Sequence, residues 1–288
     1  MKSAVPLAAI QNGEFEILKY IRDICDQNGL LYFLAYGTLI GAVRHQDFVP
    51  WDDDMDIHMP REDYLKLVDF IKKNPHPYFR LISPETSPTF KRTTAKMIDS
   101  RTRLMRISRW AENVPLGIYV DIFLLDGAGN TREEAEAAYD VAYSIYLRLR
   151  KAGKKMFYKQ ENGFVSFARW IYHIPERFRG SRYWINEHIS YCRQKSYYDY
   201  EFVAAMGACT RRASRNVWKR ESFGDGTDVL FRGEVFRAPS DWDAVLRPEY
   251  GNYMVPPPPE KQKSHHKYTL EISDPAVLEE LLHGKSSN

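Results

Sequence analysis

Apolar residues near the start of the chain recur at helical spacing. Ile17, Ile21 and Ile24 lie three or four positions apart, a pattern that predicts an amphipathic helix. The helix is expected to end at Asn28-Gly29, because glycine adopts the left-handed conformation that closes many helices. The apolar run 30–35 follows directly and predicts a buried strand.

The next segments alternate between short helices and strands. A break at 36–38 precedes a predicted short helix at 39–44, and 55–59 reads as a second strand. Pro60 fits the start of a helix, whose apolar face is formed by Tyr64, Leu67, Val68 and Ile71. Two further strands are predicted at 93–97 and 119–123, which are rich in β-branched and aromatic residues. This order predicts a mixed α/β (α+β) sheet core with flanking helices.

The pattern changes to helix after Gly127. Thr131 and Glu134 form a capping box, and a helical stripe follows at Ala135, Ala138, Ala142, Ile145 and Leu149. Strand patterns return at 202–206 and around 231–236, and the prolines at 256–259 require extended chain. We therefore expect a catalytic core at 10–130, a helical insertion at 131–200, and a C-terminal part at 201–285 that completes the core and the substrate site.

Composition narrows the range of partners. The chain has 288 residues and a net charge of +3, whereas nucleic-acid-binding domains are usually strongly basic on one face, so we expect no nucleic-acid partner. Its three cysteines, Cys25, Cys192 and Cys209, form no CxxC pair. Zinc is therefore not expected, and an odd number of unpaired cysteines suggests a reducing compartment.

No segment is predicted to cross a membrane. The sequence lacks a run of roughly 20 apolar residues, and its first residues lack the apolar core of a signal peptide. We expect a cytoplasmic protein. The basic stretch 148–159 interleaves lysine and arginine with aromatic and aliphatic residues. Such a stretch is usually a solvated face, but it also suits peripheral contact with the inner face of the membrane.

The most informative feature is an acidic cluster. Asp52, Asp53, Asp54 and Asp56 fall within five positions. An arbitrary acidic run is usually a solvated turn, but this one is enclosed by apolar residues at 48–51 and at positions 55 and 57. Because side chains on a strand alternate between its two faces, Asp54 and Asp56 would share one face while positions 55 and 57 point into the core.

Two carboxylates on one face require a cation. They would lie about 7 Å apart along a strand, and like charges at such a distance repel each other. Hard oxygen ligands suit Mg²⁺ or Mn²⁺, which complete their coordination with water and substrate phosphate. The cluster therefore predicts metal-assisted phosphoryl transfer.

Two other positions complete the pattern. Gly37-Thr38 lies before the acids, where backbone N–H groups at a helix start can approach a phosphate. A strand, Gly-Thr, a short helix and a strand with Asp-x-Asp together resemble the nucleotidyltransferase superfamily that includes DNA polymerase β, in which a later strand supplies a third carboxylate. Asp121 is the candidate, as metal ligand or general base. A structural hydrogen bond to a neighbouring turn is the alternative, and His58 is a weaker candidate for the base.

A longer resemblance is more specific. The segment YGTLIGAVRHQDFVPWDDDMDIHMPREDY, together with VDIFLLDG at 120–127 and YGNYMVPPPPEKQKSHH at 250–266, resembles the LicD family of phosphocholine transferases, relatives of fukutin and fukutin-related protein. The resemblance spans roughly 14–127 and 223–266 and does not extend to the helical middle. It implies a nucleotidyltransferase-like, polymerase β-type fold. By the resemblance, Asp52, Asp54, Asp56 and Asp121 bind Mg²⁺ or Mn²⁺.

The family also implies substrates. Members transfer a phosphorylated group such as phosphocholine from a CDP-linked donor, for example CDP-choline, to a glycan hydroxyl, and CMP leaves. A glycan or lipid-linked glycan is the expected acceptor, in decoration of cell-surface polysaccharide or teichoic acid. Basic groups should neutralise the donor diphosphate. The candidates, besides Gly37 and Thr38, are Arg44, His45, Lys96, His265 and His266, with a structural histidine pair as the alternative for the last two.

Three other functions fit part of the pattern. A glycosyltransferase can carry a metal-binding Asp-x-Asp, although that motif normally follows a complete nucleotide-binding unit. A nucleotidyltransferase that moves NMP from an NTP would use the same carboxylates, so the residues alone do not separate it from the CDP-linked reaction. A non-enzymatic glycan-binding module would use the many aromatic residues, but it has no need for clustered like charges.

Overall fold

A computed structural model describes residues 5–106, 114–153, 163–172, 174–208, 213–264 and 268–283. Its strands are β1 (Phe33–Leu34), β2 (Met55–Pro60), β3 (Phe79–Ile82), β4 (Ala95–Asp99), β5 (Thr102–Arg106), β6 (Tyr119–Gly129), β7 (Phe202–Ala204), β8 (Val217–Lys219), β9 (Thr227–Phe231), β10 (Glu234–Ala238) and β11 (Tyr268–Ile272). Its α-helices are α1 (Leu7–Asn28), α2 (Tyr36–His45), α3 (Arg61–Lys73), α4 (Arg132–Ala152), α5 (Gly163–Tyr172), α6 (Ile174–Cys192), α7 (Trp242–Tyr250) and α8 (Pro275–His283). The predicted mixed α/β architecture is confirmed.

One mixed sheet organises the fold. Its strands run in the order β1-β2-β6-β4-β3, and the far end of β6 pairs with β7, which pairs with β8. Strands β2 and β6 are parallel, and the other pairs in this sheet are antiparallel. Two small antiparallel pairs, β9 with β10 and β5 with β11, lie outside it. Strand β6 is central because it joins both halves of the sheet.

The register of the central strands separates an apolar face from a polar one. On β2, β6 and β4, the residues of one face are all buried in the main core: Met55, Ile57, Met59, Val120, Ile122, Leu124, Ala95 and Met97. Helix α1 packs on this face with Ile17, Leu18 and Ile21, and α3 packs there with Tyr64, Leu67 and Val68. The alternate residues, among them Asp56, Asp121 and Lys96, therefore project from the opposite face.

The ends of several helices follow sequence signals. Helix α1 ends at Asn28, and Gly29 adopts a φ of 63°. The Thr131 side chain caps α4 by accepting a hydrogen bond from the N–H of Glu134, and the Glu134 carboxylate accepts one from the N–H of Asn130. The predicted capping box is thus present, except that the Glu134 carboxylate accepts its hydrogen bond from the N–H of Asn130 instead of the N–H of Thr131.

Residues 131–200 are mostly helical in their described parts, as predicted. Helices α4 and α6 pack together through Leu149, Trp184 and Ile185.

A buried ion pair joins α3 to the sheet, because Arg61 donates two hydrogen bonds to the Asp126 carboxylate. None of the described helices is both long and apolar enough to span a bilayer.

Three predicted elements differ from the structure. The segment 30–35 is mostly irregular and contributes only β1 (Phe33–Leu34), because its apolar residues are buried by packing instead of strand pairing. The predicted helix at 39–44 begins earlier, at Tyr36, so Gly37-Thr38 lies in its first turn. The predicted strand around 231–236 is a hairpin, since Arg232 and Gly233 both adopt positive φ and reverse the chain between β9 and β10.

Candidate active site

The polar face of the sheet brings the predicted acidic residues together. Asp56 on β2 and Asp121 on β6 are direct neighbours in the parallel register, where adjacent strands lie about 4.8 Å apart. Lys96 on β4 is the partner of Asp121 on its other side. Lys96 Nζ donates hydrogen bonds to both Asp121 oxygens at 2.6 and 2.7 Å. Three residues that are distant in sequence thus form a row across three strands.

The other aspartates lie in the loop between α2 and β2. The N–H of Asp52 donates a hydrogen bond to Val49 O at 2.9 Å and closes a turn. Asp52, Asp53 and Asp54 each have a carboxylate oxygen within 4.8 Å of the others. Asp53, which sequence reasoning did not select, is buried and accepts a hydrogen bond from Ser264 Oγ.

Glycine at position 37 leaves room for the Asp52 carboxylate. A Cβ at this position would lie 2.3 Å from Asp52 Oδ2, well inside contact distance. A larger residue would therefore displace the Asp52 carboxylate from the first turn of α2. Thr38 supports the same arrangement, because its Oγ1 accepts a hydrogen bond of 2.8 Å from the N–H of Asp56.

Burial and mutual repulsion disfavour negative charge in this cluster. Burial, with the charges of Asp54, Asp121 and Asp52, raises the pKa of Asp56 well above its usual value, although Lys96 acts in the opposite direction. Burial, followed by Asp54, raises the pKa of Asp52 to about 8. A divalent cation would reverse this by stabilising the ionised carboxylates.

Glu14 is a sixth carboxylate that sequence reasoning missed. It is buried on α1, and burial, together with the charges of Asp54, Asp52, Asp53 and Asp56, raises its pKa well above the usual value. The sequence held one signal: Glu14 falls on the stripe of Ile10, Ile17 and Ile21, where a charged residue requires a partner. The site is therefore even more acidic than the motif alone indicates.

A cavity of about 480 Å³ opens in front of the aspartates. Its walls combine the start of α2, the acidic loop and the segment after α7: Tyr36, Gly37, Ile40, Arg44, Val49, Trp51, Asp52, Asp54, Asp56, Tyr250, Asn252, Tyr253, Val255, Pro257 and Lys261. We call it the first cavity. Aromatic walls, two basic side chains and three carboxylates suit a ligand that has both a flat ring and phosphate groups.

A smaller cavity of about 220 Å³ lies on the side of Asp121. It is lined by Lys91, Arg92, Thr93, Thr94, Asp121, Phe123, Tyr146, Leu149, Arg150 and Gly207. We call it the second cavity. One wall comes from the end of α4, so the helical middle of the chain contributes directly to the site. Asp56 lines the first cavity and its strand neighbour Asp121 lines the second, so the two cavities lie beside adjacent residues of this carboxylate pair.

The predicted basic residues occupy different positions. Arg44 lines the first cavity, donates a hydrogen bond to Tyr253 O, and donates another through Nε to His45 Nε2 at 2.9 Å. His45 thus contacts Arg44, and burial and the Arg44 charge lower its pKa. Burial also lowers the pKa of Lys96. His265 and His266 lie outside the described residues.

His58 is enclosed by aromatic rings. Its centroid lies 4.9 Å from that of Tyr36, 5.2 Å from that of Trp218 and 5.9 Å from that of Phe223. Neither ring nitrogen has a hydrogen-bond partner among the described residues, and burial lowers the pKa of His58 to about 3. The imidazole is therefore neutral and fully covered, which disfavours it as a general base.

Comparison with known proteins agrees with this geometry. Residues 29–144 match the family model described as LicD/FKTN/FKRP, nucleotidyltransferase domain, a range that contains Gly37, Lys96, Asp121 and the aspartate cluster. The chain is 28% identical over 258 residues to the lipopolysaccharide cholinephosphotransferase LicD of Haemophilus influenzae, covering 87% of this chain and 92% of that protein. It is also 40% identical over 48 residues to the ribitol 5-phosphate transferase FKRP of human and mouse, covering 17% of this chain and 10% of FKRP.

The environment of His58 predicts that the imidazole is dispensable. His58→Leu keeps a similar volume and removes two buried nitrogens without a described partner. It should change the free energy of unfolding by less than about 1.5 kcal/mol and leave kcat close to the wild-type value. Chemical denaturation and steady-state kinetics measure the two quantities. A large loss of kcat in a variant that unfolds like wild type would contradict this and identify His58 as the base.

Proposed function

We propose that this chain is a transferase of the LicD/FKTN/FKRP family, and that it moves phosphocholine, or a similar phospho-substituent, from a CDP-linked donor to a glycan hydroxyl. CMP is released. The reaction belongs to the decoration of cell-surface polysaccharide or teichoic acid. One observation carries the proposal: Asp56 and Asp121 are neighbours on parallel strands, and each lines one of two cavities.

The first cavity suits the donor. Its aspartates lie beside the first turn of α2, which contains Gly37 and Thr38 and whose backbone N–H groups and helix dipole favour a phosphate. Arg44 and Lys261 line the same cavity and can neutralise a diphosphate. Trp51 and Tyr250 offer flat surfaces for stacking of the cytosine ring.

The carboxylates fit a divalent metal ion, with Mg²⁺ or Mn²⁺ as the best match. Asp52, Asp54 and Asp56 line the donor cavity and Asp121 adjoins Asp56, so these four residues would supply hard oxygen ligands. When bound, the metal would neutralise the phosphate charge that increases as the leaving group departs. The fit is supported by the excess of carboxylates, because among the described residues Lys96 offsets only part of the charge of Asp56 and Asp121.

The second cavity suits the acceptor. A glycan hydroxyl that enters there reaches Asp121, which accepts its proton as general base. The hydroxyl oxygen forms a bond to the β-phosphorus of the donor, and the bond from that phosphorus to the bridging oxygen breaks. CMP carries away the electron pair. Lys96 holds the Asp121 carboxylate through both oxygens and so fixes its orientation.

We also propose a fold type and a domain organisation. A mixed sheet with Gly-Thr at a helix start, Asp54 directly before β2, Asp56 on β2 and Asp121 on the neighbouring strand supports a nucleotidyltransferase-like core of the polymerase β type at 10–130. The helices at 131–200 form an insertion that supplies a wall of the acceptor cavity. Residues 201–285 complete the core, since β7 extends the sheet from β6.

Donor choice and metal dependence are tested by incubating the protein with Mg²⁺, a panel of CDP-, UDP- and GDP-linked donors or an NTP, and a glycan acceptor. CDP-choline or a CDP-alditol should yield CMP, and a chelator should abolish the yield until metal is restored. Asp54→Asn should remove turnover while its thermal unfolding stays cooperative, because relieving like-charge repulsion does not weaken the fold.

Asp225→Asn, at an exposed aspartate on the surface, is the matched control and should retain full activity. Full activity in excess chelator would contradict the metal role. Release of pyrophosphate from an NTP, or tighter binding of a UDP-sugar than of any CDP compound, would favour nucleotidyl transfer or glycosyl transfer instead.

Asp121→Asn tests the general base. Removing the group that accepts the hydroxyl proton should lower kcat by about 100-fold or more. Binding of the donor should change much less, because Asp52, Asp54 and Asp56 line the donor cavity without it. Calorimetry of donor binding and single-turnover kinetics separate the two effects. Near-normal kcat in this variant would show that the strand carrying Asp121 is only scaffold.

A further inference from the structure

Helix α5 exposes its apolar side. Exposed apolar residues form two adjacent stripes at helical spacing, Phe164, Phe167 and Ile171 in one and Val165, Ala168 and Tyr172 in the other. Phe164 is 78% exposed. Trp170, which lies outside both stripes, is half-buried, and the Arg177 guanidinium lies 5.5 Å from its ring centroid. An amphipathic helix normally buries its apolar face, and α5 does the opposite.

The start of α6 continues this surface. Phe178 is 93% exposed, and Ile174 is exposed as well. We call the exposed residues of α5 together with Ile174 and Phe178 the apolar face. Single exposed apolar residues are common, whereas a contiguous patch of this kind on a globular protein marks an interaction site.

Basic residues accompany the apolar face. In the sequence, residues 148–183 contain ten lysines and arginines and two acidic residues, a net charge of +8 in a chain whose total is +3. Phe178 lies between Arg177 and Arg179. Lys151 Nζ lies 5.9 Å from the centroid of Tyr172 and 3.4 Å from a carboxylate oxygen of Glu176. Among the described residues, Lys151, Arg177 and Arg179 thus lie beside the apolar face, and the sequence outside 148–183 carries a net negative charge.

We propose that the apolar face binds the surface of an anionic lipid bilayer. Aromatic and aliphatic side chains enter the boundary between headgroups and acyl chains, and adjacent lysines and arginines contact the lipid phosphates. The combination identifies the partner, because an apolar patch alone would suit a protein, whereas an excess of positive charge around it is complementary to anionic headgroups. The proposed contact is peripheral, because it is made by side chains on the surface of α5 and the start of α6.

The location of the apolar face is consistent with a lipid-linked acceptor, a point that rests on the proposed function. Tyr146, Leu149 and Arg150 of α4 line the second cavity, and the next residue, Lys151, contacts both α6 and Tyr172 of α5. A glycan carried on a membrane lipid would therefore reach the acceptor cavity from the side on which the protein contacts the bilayer.

Vesicle co-sedimentation of the full-length protein tests the proposal. Wild type should bind vesicles of phosphatidylglycerol and phosphatidylcholine, bind pure phosphatidylcholine much less, and lose binding as salt increases. The double variant Phe164→Ser/Phe178→Ser should bind anionic vesicles at least about tenfold more weakly, because two large apolar side chains no longer enter the lipid. Its melting temperature should equal that of wild type. Its turnover of a water-soluble acceptor, measured without detergent, should also equal that of wild type.

The matched control is Leu230→Ser/Val235→Ser, which removes two exposed apolar side chains that face each other on the β9–β10 hairpin. It should bind vesicles like wild type. Absence of wild-type binding, or equal binding of the α5–α6 variant, would overturn the proposal. Sedimentation velocity without lipid provides another decisive outcome: an oligomer that dissociates in the α5–α6 variant would assign the apolar face to a second copy of the chain.

Discussion

Carboxylates that share a buried space repel one another, and the structure must hold the carboxylates of this site together against that repulsion. Asp56 and Asp121 are neighbours on adjacent strands, Asp52 and Asp54 face the same cavity, and Glu14 approaches from α1. Burial raises the pKa of several of these groups, so the ionised cluster is unfavourable by itself. The divalent cation proposed above would compensate this repulsion and would also neutralise the diphosphate of the proposed donor.

The rest of the structure holds this arrangement in place. One face of the sheet is sealed by α1 and α3, which fixes the strands and leaves the other face for polar side chains. Gly37 permits the contact between α2 and the acidic loop, and the Thr38 hydroxyl fixes the start of β2. Rigid positioning matters because phosphoryl transfer depends mainly on orientation and electrostatic stabilisation.

The sequence predicted the site residues that lie close together along the chain. Asp56 alternates with the buried Met55 and Ile57 on β2, and Asp121 lies in an equally clear strand pattern. Asp54 lies in the loop directly before β2 instead of on the strand, but it lines the same cavity as Asp56, as predicted. The Lys96–Asp121 ion pair and the position of Glu14 depend on strand order and helix docking, which periodicity does not encode. The hairpin at 227–238 was missed because its turn is Arg-Gly instead of a typical Asn-Gly. The apolar face of α5 was missed because periodicity predicts an amphipathic helix and not which side is covered.

Direct binding of Mn²⁺ to the substrate-free protein tests the central claim, that the carboxylates form a divalent metal site. Electron paramagnetic resonance follows the signal of free aqueous Mn²⁺, which decreases as the ion binds. Wild type should remove Mn²⁺ from solution in a stoichiometric, Mg²⁺-competitive manner, and Asp54→Asn/Asp56→Asn should not, although it folds cooperatively. A wild-type protein that leaves the free Mn²⁺ signal unchanged, or a variant that binds as well as wild type, would contradict the account.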